Sequence, residues 1–88
     1  MMSTVIVTVR FEKANFEQDM EVPADIPCTE LCKSLLLALE EMDAETFSSF
    51  ERIKLRLKRN GKVVDDDETL QSKEIWDGSI LLIEEGAA

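Results

Sequence analysis

Between Ile53 and Ile83 the chain reads IKLRLKRNGKVVDDDETLQSKEIWDGSILLI, and the order of signals in this stretch constrains the fold more than any other segment. Ile53, Leu55 and Leu57 alternate with Lys54, Arg56 and Lys58, the period of two expected of a half-buried strand. Asn60-Gly61 follows, a pair that supplies the positive φ angles of a type I′ hairpin turn. Val63 and Val64 are expected as a short partner strand, and Asp65 to Glu68 as an acidic loop. Leu70 and Ile75 are the apolar residues of the next connection. Ile80 to Ile83 is apolar at every position, as expected of a central strand with neighbours on both sides.

The first half of the chain supplies the remaining elements. Thr4 to Phe11 alternates, placing Val5, Val7, Val9 and Phe11 on the core side and Ile6, Thr8 and Arg10 on the other. A polar turn at Lys13-Ala14-Asn15 leads into Phe16 to Val22, where Phe16, Met20 and Val22 share a face opposite Glu17, Asp19 and Glu21. These two strands are expected to form a hairpin. Pro23 and Pro27 break the pattern, and Pro27 suits the first turn of a helix, where its missing N–H is not needed. From there Cys28, Leu31, Cys32, Leu35, Leu36, Ala38, Leu39 and Met42 fall on one broad apolar arc, which leaves Leu37 outside it. The helix is expected to pack on the valine face of the sheet. Phe47 and Phe50, three apart, fit a short helical turn at the core edge.

The β-β-α-β-β-β order resembles the β-grasp of ubiquitin. The spacing Gly61, Leu70, Ile75, Leu81, Ile83 matches ubiquitin's hairpin glycine, loop leucine, loop isoleucine and two inward strand residues without a gap. The resemblance implies an α+β fold, a mixed sheet of four to five strands packed on one main helix, in a single domain over 1–88 with 84–88 as a short flexible tail. Among ubiquitin-like proteins the chain is similar to the YukD/EsaB group. That group accompanies the type VII (WXG100) secretion apparatus of Gram-positive bacteria, which implies a cytoplasmic accessory role. Three departures from ubiquitin limit what transfers. Glu85-Gly86-Ala87-Ala88 stands against the residues that precede ubiquitin's terminal glycine pair, so conjugation is not expected. Lys58 and Glu84 stand where ubiquitin carries two apolar receptor-binding residues. Lys62, which matches a chain-linkage lysine in position, reads as a solvated hairpin lysine.

Composition narrows the function. At 88 residues and 44% hydrophobic content, the chain suits one core that buries about 60 to 65% of the unfolded surface. Nineteen acidic against ten basic residues, a formal charge of −9, oppose general binding to nucleic acid or anionic lipid. No run approaches the roughly 20 apolar residues that span a bilayer. The chain has no histidine or tyrosine, so a nucleophile would lack its usual base and no enzyme activity or cofactor is expected. Cys28 and Cys32 read as buried thiols, and two cysteines without histidine make zinc implausible. Asp65-Asp66-Asp67-Glu68 lacks the alternating ligands and glycine of a calcium loop and reads as a solvated acidic segment.

Charge distribution points to a docking surface. Arg52, Lys54, Arg56, Lys58, Arg59 and Lys62 are six of the ten basic residues, and no acid interrupts them. Lys54, Arg56 and Lys58 are expected on one sheet face beside Ile80 and Leu82, with Ile6 just beyond. An apolar strip flanked by basic side chains suits an acidic protein partner. Equally, the Lys and Arg stems can simply cover the apolar residues. Trp76 is either a binding hot spot or packed locally beneath its loop. Two other roles fit the pattern: a ubiquitin-like subunit of a multicomponent monooxygenase, or a PB1-like module that pairs acidic and basic faces head to tail.

Overall fold

The computed structural model describes residues 3–86. Strand β1 (Thr4–Phe11) passes through a 3-10 turn at Glu12–Ala14 into β2 (Phe16–Pro23), and Asn15 takes the left-handed conformation that closes the hairpin (φ 52°). Helix α1 (Cys28–Met42) and the single turn α2 (Ala44–Phe47) follow, then β3 (Ile53–Leu57) and β4 (Ile80–Glu85). The sheet order is β2-β1-β4-β3. β4 is inserted in the middle, parallel to β1 and antiparallel to β3. This is the mixed sheet and main helix expected from the sequence.

Alternation places one side of each strand in the core. Val7 and Val9 of β1, Leu55 and Leu57 of β3, and Leu81 and Ile83 of β4 are buried against Leu31, Leu35 and Leu39 of α1. Each such side chain is worth roughly 1.5–3 kcal/mol when removed from water. Val64, Leu70 and Ile75 are buried as well, so the long connection from 58 to 79 is tied to the core at three points. Asp43 caps α2 through Thr46, and α2 places Phe47 among Phe11, Phe16 and Phe50 with ring centroids 5.2–5.7 Å apart. Edge-on and tilted rings at this spacing add to simple burial.

The acidic run has a structural task. Pro27 is the N-cap of α1 rather than a residue of its first turn, and its side chain cannot cap. The first helical N–H groups are satisfied from outside: Cys28 N–H donates to Glu68 O (2.7 Å) and Thr29 N–H to Asp66 O (3.1 Å). The carboxylates of this loop thereby sit near the positive end of the helix, which favours them. Glu68 accepts from Asp65 N–H (2.8 Å) and pairs with Lys73 (3.2 Å), and these contacts hold its carboxyl below the usual range.

Several local expectations are corrected. Asn60-Gly61 does not make a two-residue type I′ turn: Gly61 N–H donates to Leu57 O and Leu57 N–H to Lys62 O (both 2.8 Å), enclosing four residues. Only Gly61 is left-handed there (φ 74°), while the Asn60 side chain accepts from Lys62 N–H (3.0 Å). Val63 and Val64 form no strand, because only one bridge, Arg56 to Val63, is made before the acidic loop turns toward α1. Met42, placed on the apolar arc, is 48% exposed because the helix ends there and the chain turns into α2. Residues 84 and 85, expected to begin a flexible tail, are the last pairs of β4, and Gly86 N–H donates to Arg52 O (2.9 Å). Residues 87 and 88 of that tail lie outside the described residues.

Candidate functional site

The face of the sheet turned away from α1 is built in register. Glu17, Arg10, Leu82 and Arg56 are cross-strand neighbours in one row. Asp19, Thr8 and Ile80 make the next, extended by Lys58, whose N–H donates to Ile80 O (3.2 Å). Glu21 and Ile6 form a third. The face therefore runs from an acidic edge on β2, through apolar and polar residues on β1 and β4, to a basic edge on β3. Lys58 lies one residue beyond β3, in the turn, rather than within the strand as expected.

The ion pairs redistribute the predicted basic strip. Arg10 pairs with Glu17 (2.8 Å), and Arg56 pairs with Glu84 (2.9 Å) while also donating to Gly61 O. Glu84 is register-opposite Lys54, one step along from Leu82. The uninterrupted run of basic residues in the sequence thus meets an acid in space, from the neighbouring strand. Among the described residues, Lys54 and Lys58 are in no ion pair and are exposed, so they hold the free positive charge of the strip. Arg59 is held by the carbonyls of Lys73 (2.6 Å) and Glu74 (3.1 Å). Ile80 and Leu82 are half-buried, and Leu82 lies between the two paired arginines, so stem coverage applies at Leu82.

At the other end the apolar surface is open. Ile6 is 50% exposed and Trp76 is 67% exposed, which removes the reading of Trp76 as packed beneath its loop. The Trp76–Ser79 turn is closed by Trp76 N–H to Ser79 Oγ and Ser79 N–H to Trp76 O (both 3.1 Å). It is then clamped onto β1: Ile6 N–H donates to Asp77 Oδ1 and Gly78 N–H to Ile6 O (both 2.8 Å), and Thr8 N–H donates to Ser79 O (2.9 Å). Gly78 takes φ 90°, which a side chain disfavours. The loop is therefore a continuation of β4 that fixes Trp76 at the end of the sheet where Ile6 is exposed. Sequence reasoning missed Asp77, although an Asp before a Gly in a turn is the type of residue that binds a nearby backbone N–H.

All seven candidate residues, Ile6, Lys54, Arg56, Lys58, Trp76, Ile80 and Leu82, lie on this face or at its margin. No group of three or more metal-ligating side chains is gathered among the described residues, and no helix there is long and apolar enough to cross a membrane.

The YukD family model, described as the protein YukD of the WXG100 protein secretion system, matches residues 4–83. The ubiquitin-like domain of the Mycobacterium tuberculosis type VII secretion system protein ECCD1 superposes with a TM-score of 0.71 at 20% identity, over 93% of this chain and 98% of that one. The EccD5 ubiquitin-like domain from Mycobacterium xenopi does so with 0.71 at 17% identity, over 97% and 99%. A chain of the MycP5-free ESX-5 inner membrane complex gives 0.75 at 20% identity, and there this chain spans 97% of itself but 21% of the larger protein. A sequence search of curated proteins gave no match. The structural likenesses establish a ubiquitin-like fold, and the match over 4–83 adds the family: the chain belongs to the YukD family of the WXG100 protein secretion system.

Proposed function

We propose that the chain is a noncatalytic docking module that binds a component of a type VII-like secretion apparatus on its cytoplasmic side, without being conjugated to a target. The observation that carries this reading is the exposure of two large apolar residues, Ile6 and Trp76, at one hydrogen-bonded and therefore preorganised end of the sheet. Exposed Trp on a rigid frame is the residue type that dominates binding energy at interfaces. Lys54 and Lys58, the free cations of the opposite margin, select an acidic partner segment. Similarity to domains of ESX membrane complexes supports a partner within the apparatus. Asp66 and Glu68, two of the acids proposed for PB1-like pairing, are held in the Arg52–Asp66 and Lys73–Glu68 pairs, which favours the docking reading over head-to-tail assembly.

The test replaces the chain in a host cell by an Ile6→Asp, Trp76→Ala double variant. Loss of copurification with the secretion membrane complex and loss of WXG100 protein export are expected, with the fold retained by circular dichroism and no mass-shifted adducts of either form. A folded double variant that copurifies and supports export as the parent does would sink the assignment.

A further inference from the structure

The two cysteines are placed unequally. Cys28 is the first residue of α1 and is 2% exposed, whereas Cys32, one turn on, is half-buried. Their sulfur atoms are 3.5 Å apart. Cys32 lines a cavity of about 360 Å³ together with Thr29, Lys33, Arg52 and Asp66, and Cys28 does not. One sulfur is thus reachable from solvent and the other stands directly behind it.

We propose that this pair is a thiol–disulfide exchange site, in which Cys32 attacks a small peptide disulfide such as oxidised glutathione and Cys28 resolves the adduct. In the first step the Cys32 thiolate forms a bond to one sulfur of the small disulfide, whose other half leaves as a thiolate and takes up a proton. In the second, Cys28 loses its proton and attacks the Cys32 sulfur, forming the Cys28–Cys32 bond and expelling the second small thiol. Two protein thiols are oxidised, one disulfide is reduced to two thiols, and no other oxidant is needed.

The electrostatics assign the roles in the same order. Hydrogen bonding to Cys28 lowers the Cys32 thiol below its usual value, with the Arg52 guanidinium acting in the same sense against burial and Asp66. The same contact, together with burial and the nearby Asp66 and Glu68 carboxylates, pushes Cys28 up. Of the two, Cys32 gives up its proton more readily and is the attacker, while Cys28 is the reserve. Lys33 and Arg52 share the cavity lining with Glu51 and Asp66, and Arg52 lies 3.6 Å from Asp66, so both signs of charge are at hand for the carboxylates and ammonium groups of a peptide disulfide.

Closure has a structural consequence. Cβ atoms four apart on a helix are about 5–6 Å apart, while a disulfide brings them to about 3.5–4.5 Å. The first turn of α1 must therefore shift, and the bonds from Cys28 N–H to Glu68 O and Thr29 N–H to Asp66 O are the ones it strains.

The experiment incubates the folded full chain with oxidised glutathione and follows intact mass with peptide mapping. The parent protein is expected to lose two hydrogens and retain no adduct, with an early-quenched adduct mapping to Cys32 and faster amide exchange at Cys28 and Thr29 afterwards. Cys28→Ala is expected to stop at one glutathione on Cys32. Two unreacted thiols in the parent, a parent adduct that persists, a first adduct on Cys28, or disulfide-linked dimers would each overturn the proposal. These parent readouts decide the matter even if the variant does not fold.

Discussion

Leu81 and Leu82 are adjacent on β4 and differ in which face they serve, so replacing each by Ala isolates the register of the central strand. Leu81 is 1% exposed and belongs to the core cluster, whereas Leu82 is half-buried on the outer face between Arg10 and Arg56. Leu81→Ala removes three buried carbons, about 2.4 kcal/mol at roughly 0.8 kcal/mol each. The cavity left in a packed core raises this to about 3–4 kcal/mol. Leu82→Ala opens no enclosed void and should cost about 1 kcal/mol. A domain of this length has a total stability of roughly 4–13 kcal/mol, so the first change removes a large share of it. The two variants should also separate by thermal melting, at about 4–8 °C per kcal/mol for a domain of this size. Urea unfolding followed by far-UV circular dichroism measures both. Equal losses, or a greater loss at Leu82, would refute the face assignment, since a slip of one residue exchanges the two roles.

Four further outcomes follow from the geometry. The single tryptophan is Trp76 and it is exposed, so native emission should already resemble that of a solvated indole and shift to the blue when a partner covers it. Gly61→Ala should destabilise by about 1 kcal/mol through its φ of 74° alone, since no atom lies within 4 Å of the added carbon. Glu68→Gln should lower stability at neutral pH: the folded carboxyl lies below its ordinary value of 4.5, so its contribution is present above that value and lost as pH falls through the folded one. The stability difference between parent and variant, measured by urea titration, should therefore shrink in acid. Reversing Lys54 and Lys58 to Glu should weaken binding to an acidic partner chiefly through the association rate, and added salt should diminish the difference.

The elements legible in the sequence were those whose side-chain period is set by a single large core. β1, β2 and β3 each alternate in sequence, β4 reads from its continuous apolar run, and the Leu31, Leu35, Leu39 stripe reads directly as a buried helix face. The strand neighbours followed from the β-grasp resemblance, but the individual side-chain contacts between them were not legible. Glu84 meets Arg56 only because β4 enters beside β3, and Asp77 meets the Ile6 N–H only because the same strand runs parallel to β1. The Asn60-Gly61 turn misled for a related reason: the dipeptide permits a two-residue turn, but the strand positions call for four residues. Of the candidate site, Ile6 and Trp76 proved open, whereas Arg56 and Leu82 are shielded by a pairing that sequence distance concealed.

Insertion of β4 between β1 and β3 also dictates when the molecule can come together during synthesis. A nascent chain that has reached only Ser79 has its hairpin, its helix and β3, yet lacks the strand that joins the two sides of the sheet. Leu57 and Val9 have no common neighbour until Leu81 arrives. The contacts of β1 and β3 with β4 therefore close only after residues 80–85 have been made, and the partly made domain must keep its apolar faces from other chains meanwhile. The acidic column on the free edge of β2, Glu17, Asp19 and Glu21, is present from the outset and discourages strand pairing with a neighbour during that interval.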